Sequence, residues 1–399
     1  MTIIRGLPPP AEFKVFNVLD YVGKIIEDVK QQGDKALIEY TKRFDGVELD
    51  SVELPMTKAE KCLNAFNTGV RKAIDVIYDF LKNFYESVKP KDFTIEMKGV
   101  KLGIVWRHID SVGIYVPGGR HPYPSTALMA GVPAHVAGTK KIHIASSPNK
   151  EGCVDPAIIY VAKLIGASGL YRVGGPQVIA AMAYGTESVK KVSKIVGPGN
   201  VYVQAAKFLV RNVVEIDSIE GPTELVVIAD ENADPRLVVA DMLAQAEHGL
   251  ESTIVLITLS EKLANTVEEQ LKSHDHVFYI YLASSIEEAT SIANELAPEH
   301  LSLHVYDSAR LLRNIENAGA VSLNASPPAM IDYLGPNHIL PTNRWARVRG
   351  ALTIYDFLKP IAILEGSCNI DKEVLEAVQV LARYEGFKVH EQSIVMRYV

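Results

Sequence analysis

From about Val112 onward the chain alternates short β-branched runs with helical stretches, an order that builds parallel sheets with helical crossovers. VGIYV leads into a Pro-Gly-Gly turn and the helical STALMAGVPAHVAG. KIHIAS, DPAIIYVAKLIGA and LYRVGG continue the series, and PQVIAAMAYG, KVSKIVGPG and NVYVQAAKFLV complete it. A second series opens at ELVVIAD, residues 224 to 230, with DPRLVVADMLAQAEH, STIVLITLS and EKLANTVEEQL. FYIYLAS, SIEEATSIANEL, LSLHVY, SARLLRNIENAG and AVSLNA follow in turn. Because parallel strands need long right-handed crossovers, each series predicts a doubly wound, incompletely Rossmann-like α/β unit. The two units are comparable, but no exact repeat period relates them.

Outside these series the texture differs. Pro8-Pro9-Pro10 favours an extended arm as far as about Asp20. Val18, Val22, Ile25 and Val29, then Leu37 and Tyr40 beyond Gly33, recur at helical spacing, and Asp45-Gly46 reads as a turn. A longer helix is predicted over Thr68–Ser87, with Val70, Ile74, Ile77, Leu81 and Phe84 on one face. After Pro341 come the basic, mixed NRWARVRGALTIYDFLKP, the amphipathic DKEVLEAVQVLARYEG and a β-like tail, SIVMRYV. Residues after about 351 read as a separate C-terminal unit.

With 399 residues the chain has enough length for two or more cores. A formal charge of -7 gives no reason to expect a nucleic-acid partner. No apolar run reaches the roughly 18–20 residues that span a bilayer. The N-terminal stretch lacks an export pattern, so the cytoplasm is the expected location. Cys62, Cys153 and Cys368 form no CxxC pair, and each is expected to pack as a small apolar residue in a reducing compartment.

Chemistry is suggested by polar groups in the second half. Gln245 and His248 stand three apart near a helix end, so both project from one face and can offer an amide oxygen and an imidazole nitrogen to one metal ion. A histidine complementing the helix dipole is the plainer alternative. Glu299-His300, after Ala297-Pro298, would stand at the mouth of a strand and can do acid–base work; a solvated Glu beside a packed His is equally compatible. Asp332 and His338 flank a Gly-Pro-Asn loop, where constrained polar residues are commonly functional. Glu385 precedes His390 near the C-terminus; His390 follows the last predicted helix, and a surface position on a fraying tail is the alternative for it. Dinucleotide binding has faint support from pattern alone. Gly197-Pro198-Gly199-Asn200 has two glycines of a phosphate turn but Tyr202 where a third would stand; Pro117-Gly118-Gly119 and Gly174-Gly175-Pro176 are further strand-end turns.

Across nearly its whole length the chain resembles the histidinol dehydrogenase family. The resemblance rests on YVPGG, GGPQVIAAMAYGT, KIVGPGN, GPTELVVIAD, LAQAEH, APEHL, NHILPT and EG-x3-H, in that order. It implies NAD-dependent oxidation of L-histidinol to L-histidine, the last step of histidine synthesis, through an enzyme-held aldehyde. It further implies one zinc ion held by Gln245, His248 and Asp332, with His390 supplied by the other subunit of a homodimer. Glu299 and His300 match the family's acid–base pair. Thr223, Gln245, His248, His300, Asp332, His338, Glu385 and His390 match substrate contacts, and Tyr115, Gln177 and Asn200 match NAD contacts. Thr223 replaces the family's usual serine and keeps the hydroxyl. The organisation implied is an N-terminal arm, 1–20, and a first α/β domain made of 21–111 and 224–350 that carries the metal and acid–base residues. A second α/β domain, 112–223, would contact NAD, and 351–399 would be exchanged with the partner.

The rival reading keeps the chemistry and changes the substrate to another small alcohol, such as a sulfonated diol. That substrate would want an added cation near the site, for which Arg120 is the candidate.

Overall fold

The computed structural model describes residues 2–9, 14–63, 66–118 and 121–398. β1 (Thr2–Arg5) precedes four helices, α1 (Leu19–Gln32), α2 (Asp34–Asp45), α3 (Met56–Cys62) and α4 (Thr68–Val88). An antiparallel pair follows, β2 (Phe93–Met97) and β3 (Val100–His108). The first alternating series is β4 (Ser111–Tyr115), α5 (Pro124–Ala137), β5 (Lys141–Ala145), α6 (Pro156–Leu164) and β6 (Gly169–Tyr171). It ends with α7 (Gly175–Tyr184), β7 (Lys194–Val196), α8 (Val201–Val210) and β8 (Glu215–Ile216). The second is β9 (Glu224–Ala229), α9 (Pro235–Ala246), β10 (Thr253–Thr258), α10 (Glu261–Leu271) and β11 (Val277–Leu282). α11 (Ile286–Leu296), β12 (His300–His304), α12 (Ser308–Leu311) and β13 (Ala320–Ser322) complete that unit. The chain closes with α13 (Ile331–Leu334), β14 (Leu358–Gly366), α14 (Lys372–Tyr384) and α15 (Lys388–Tyr398).

Both series fold as the alternation predicts. One sheet has the order β6-β5-β4-β7-β8 and the other β1-β11-β10-β9-β12-β13, and every pair in both is parallel. In each, the chain steps outward from its first strand and then returns to that strand's other side, giving a doubly wound sheet with a switch point. Buried apolar clusters cover the two faces of each sheet, as strands buried on both sides require.

Four expectations are corrected by the packing. The start of the arm is a strand: β1 adds to the edge of the six-stranded sheet, parallel to β11 and in register from Thr2 with Val277 to Arg5 with Ile280. The helices between residues 21 and 111 pack on the five-stranded sheet rather than joining 224–350. Val22, Ile26 and Leu37 share a core with Val178 and Ile195, while Ile74 and Leu81 share one with Val112 and Ile142. Apolar stripes show that a helix has a face to bury, but not which sheet receives it. The tail SIVMRYV is helical, within α15. Finally, Cys62 and Cys153 form a disulfide between the end of α3 and the turn before α6, so only Cys368 is free. Their separation of 91 residues hid a pairing that the helix packing brings to a Cα distance of 6.4 Å.

Local chemistry sets several boundaries. Gly33, at φ +57°, takes a left-handed conformation that ends α1 and starts α2. Asn67 caps α4 by accepting from the Gly69 and Val70 amides. β14 lies antiparallel along β3 over nine residue pairs, Leu358 with His108 through Gly366 with Val100, so the C-terminal unit is tied to the β2–β3 hairpin. Among the described residues no helix is long and apolar enough to cross a membrane.

Candidate active site

The two sheets meet with opposite ends. The five-stranded sheet presents the C-terminal ends of β4 and β7, its switch point, through Pro117 and the Gly197–Asn200 turn. The six-stranded sheet presents the N-terminal ends of β9 and β12, through Thr223 and Glu299-His300. Glu299-His300 therefore stands where β12 begins, not at the strand ends where doubly wound sheets usually bind ligands. Between them lies a cavity of about 470 Å³, lined by Asn200, Thr223, His248, Glu299, His300, Asp332 and His338 among others.

A chain of hydrogen bonds joins three elements of the site. The Gln245 amide, on the last turn of α9, donates to the Thr223 hydroxyl, which donates to Glu299 Oε2. The Glu224 backbone N–H donates to the same carboxylate oxygen at 3.0 Å. The threonine thus does what the usual serine could do. His300 Nε2 lies 4.0 Å from Asp332 Oδ1, and its Nδ1 is buried without a partner. His338 is oriented from both sides, by the Asp332 carbonyl at Nδ1 (3.0 Å) and the Thr126 hydroxyl at Nε2 (3.1 Å).

Burial dominates the electrostatics. It pushes the Glu299 carboxyl up to about 8, partly opposed by the Thr223 and Glu224 hydrogen bonds. Glu224, also buried, is raised to about 7 and Asp332 to about 6, the latter against the pull of His248. Burial lowers His300 to about 3 and His338 to about 4, with neighbouring histidines adding to both shifts. Burial thus keeps the His300 and His338 imidazoles neutral and raises the Glu299 carboxyl furthest, into the range where it can take and release a proton near neutral pH.

The other expected residues are spread over several elements. Asp332 sits in the one-turn helix α13 rather than in an open loop. Tyr115 and Gln177 are buried near the end of the five-stranded sheet; the phenol bonds the Gly175 backbone, and both polar atoms of the Gln177 side chain lack partners. Asn200 lines the cavity and caps α8, accepting from the Tyr202 and Val203 amides. Gly197 (φ +123°) lets this turn press against β4, since a Cβ there would stand 2.1 Å from the Tyr115 carbonyl oxygen. Glu385 and His390 are exposed, at the end of α14 and on α15, and do not line the cavity of their own chain. Gly119 and Arg120 lie outside the described residues.

Sequence reasoning did not find Asn337's role. Its amide donates to the Met129 carbonyl (2.6 Å) and the Tyr85 hydroxyl (3.0 Å), and its oxygen accepts from the Ile339 amide. These bonds pin the loop that carries His338 to α4 and α5. Buried at 1% exposure between Pro336 and His338, it could have been noticed only as an amide in a Gly/Pro-punctuated loop.

Among the described residues no group of three His, Cys, Asp or Glu stands ready for a metal. The expected set draws only His248 and Asp332 of those types from one chain, because Gln245 offers an amide oxygen and His390 would come from elsewhere. The nitrogen and oxygen donors gathered around this cavity suit a borderline divalent ion such as zinc.

Fold and cavity together define a two-sheet α/β enzyme whose carboxyl and imidazole side chains gather where the sheets meet. The histidinol dehydrogenase family model matches residues 10–398. The chain is 51% identical to the histidinol dehydrogenase of Saccharolobus solfataricus over 99% of this chain and 100% of that one. It is 52% identical to that of Sulfolobus acidocaldarius, over 98% and 97%. A crystal structure of histidinol dehydrogenase from Elizabethkingia anophelis superposes with a TM-score of 0.90 at 34% identity, covering 99% of this chain and 94% of that one. The chain belongs to the histidinol dehydrogenase family and is an oxidoreductase.

Proposed function

We propose that this chain oxidises L-histidinol to L-histidine, the last step of histidine synthesis, using two NAD in succession and one zinc ion per site. The observation that carries the reading is the convergence of Glu299, His300, His248, Asp332 and His338 on one cavity beside the Gly197–Asn200 turn. Gln245, His248 and Asp332 would hold the zinc with His390 of the partner subunit, and the ion would fix the substrate's imidazole and amine for hydride transfer to NAD. Tyr115, Gln177 and Asn200 would contact NAD. The Gln177 amide fits that role, since both of its polar atoms are buried without a protein partner and a bound cofactor would supply one.

The chain's own residues then have distinct work. His300, neutral through burial, accepts the alcohol proton as the first hydride leaves, giving an aldehyde retained in the cavity. Glu299 is held at Oε2 by Thr223 and Glu224, leaving Oε1 to take a proton from the water that adds to the aldehyde. His300 assists again as the hydrate loses the second hydride. Glu385 of the partner subunit would pair with the substrate's ammonium, while His338 would orient the substrate.

A homodimer with exchanged C-terminal units is part of the same reading. Leu364, Leu381, Tyr384, Val389 and Met396 are exposed apolar side chains on β14, α14 and α15, more than a tail serving only its own chain would display. A cavity of about 810 Å³, lined by Val70, Ile74, Ile77 and Met129, opens beside His248 and Asp332 and offers the partner's tail a seat. The cytoplasm is kept as the location, though the Cys62–Cys153 bond removes the cysteine argument for it.

The sulfonated-alcohol reading is the weaker one, because Glu385 would give histidinol's ammonium a carboxylate partner, while Arg120, the cation a sulfonate would want, lies outside the described residues. The test is an assay with histidinol, NAD and zinc, with and without a chelator. Two reduced cofactors per alcohol and loss on chelation are expected. Turnover of a sulfonated diol but not of histidinol would overturn the reading.

A further inference from the structure

β12 lies between β9 and β13, a position where a parallel sheet normally carries apolar side chains on both faces. On one face it instead carries His300, Ser302 and His304, which are 4%, 0% and 4% exposed. Their register partners on β9 are Leu225, Val227 and Ala229, which pack in an apolar core with Val238 and Met242 of α9. The neighbouring strand therefore meets the same helix through ordinary hydrophobic contact.

β12 meets it through Asp241. This carboxylate, 7% exposed on α9, accepts at Oδ2 from both the Ser302 hydroxyl (3.1 Å) and His304 Nε2 (2.8 Å). Buried polar clusters of this kind add little net stability over well-packed apolar side chains. What they add is geometry, because directional bonds admit one register where apolar contact tolerates sliding. Asp241 lies one helical turn before Gln245, and Ser302 lies two residues after His300 on the same face of the strand. The cluster thus links α9, which carries Gln245 and ends two residues before His248, to the strand that begins with the acid–base pair.

We infer that Asp241 is a positioning residue that, through Ser302 and His304, locks the metal-donor helix to the acid–base strand. The inference rests on the function proposed above. It touches neither substrate nor metal and acts only by placing the groups that do.

The test compares Asp241→Leu with Asp241→Asn in the full chain, reading the thermal midpoint, zinc affinity by competition with a chromophoric chelator, and kcat. A single oxygen accepts both bonds, so asparagine can replace it while leucine cannot. Expected are folded variants, zinc binding weakened about 10- to 100-fold in the leucine variant with a matching fall in kcat, and recovery of both in the asparagine variant. A leucine variant whose midpoint alone changes, with zinc affinity and kcat at wild-type levels, would overturn the inference. Should that variant not fold, His304→Leu against His304→Gln makes the same comparison with the same expected and overturning results. Wild-type chain that neither binds zinc nor turns over histidinol would instead overturn the proposed function, and this inference with it.

Discussion

At the scale of single residues, His300 and Glu299 carry the sharpest expectations. His300→Asn should lower turnover by about 10²- to 10⁴-fold, the usual worth of a positioned base, without loss of bound zinc. Steady-state rates and metal analysis of the same preparation check it, and near-normal turnover would exclude the role. Glu299 predicts a pH dependence in the metal-free chain. Its carboxyl is raised from an ordinary 4.5 to about 8, chiefly by burial, so the fold favours the protonated form. Its contribution is then fully present below about 4.5 and lost as pH rises through about 8, an effect on the order of a few kcal/mol. His300, lowered from 6.5 to about 3, has the opposite sign, its contribution being lost as pH falls below 6.5. Glu299→Gln should flatten the decline in denaturant midpoint between about pH 4.5 and 8 while leaving the limb below pH 4.5 unchanged; an unaltered profile would refute the assignment. The donor types at these positions were legible in the sequence. Their protonation was not, because it depends on burial that no local window reveals.

Among elements, α8 separates structure from binding at one position. Asn200 caps the helix through its side-chain oxygen while lining the cavity. Asn200→Ala should cost about 1 kcal/mol of stability from the lost cap and also raise the KM for NAD. Asn200→Asp keeps the capping oxygen but loses the amide donor, so its thermal midpoint should hold while the NAD KM still rises. If the aspartate variant binds NAD normally, the amide has no part in binding. The helices and strands of both α/β units were readable from period and turn residues. α15 was not, because SIVMRYV has β-branched residues but faces no sheet edge that would pair it. β1 was missed for the converse reason: TIIR is too short to declare itself, and only the open edge at β11 recruits it.

For the whole molecule the expectation is a site built from two chains. His300→Asn chains and His390→Ala chains should each be inactive. Refolded together they should regain about one quarter of wild-type activity, since half of the random dimers are mixed and each of those holds one intact site. No recovery, with mixed dimers demonstrated by mass, would confine the site to a single chain. The apolar side chains on β14, α14 and α15 and the groove beside His248 are the physical basis for that expectation.

The amino-acid order alone determined most of the elements: two runs of alternating strand and helix, with Gln245 on a helix end three residues before His248 and Glu299 next to His300. These follow from periodicities and adjacencies that span only a few residues, and such signals survive without any fold around them. That His248 falls in the turn beyond α9 was decided by the fold. The tertiary structure alone decided that the C-terminal edge of one sheet faces the N-terminal edge of the other, and that α1 to α4 cover the five-stranded sheet. It also joined Cys62 to Cys153 and gave β12 a polar face toward Asp241. Those outcomes depend on contacts between residues far apart in the chain, each weak alone, whose sum selects one packing among many that the local pattern allows.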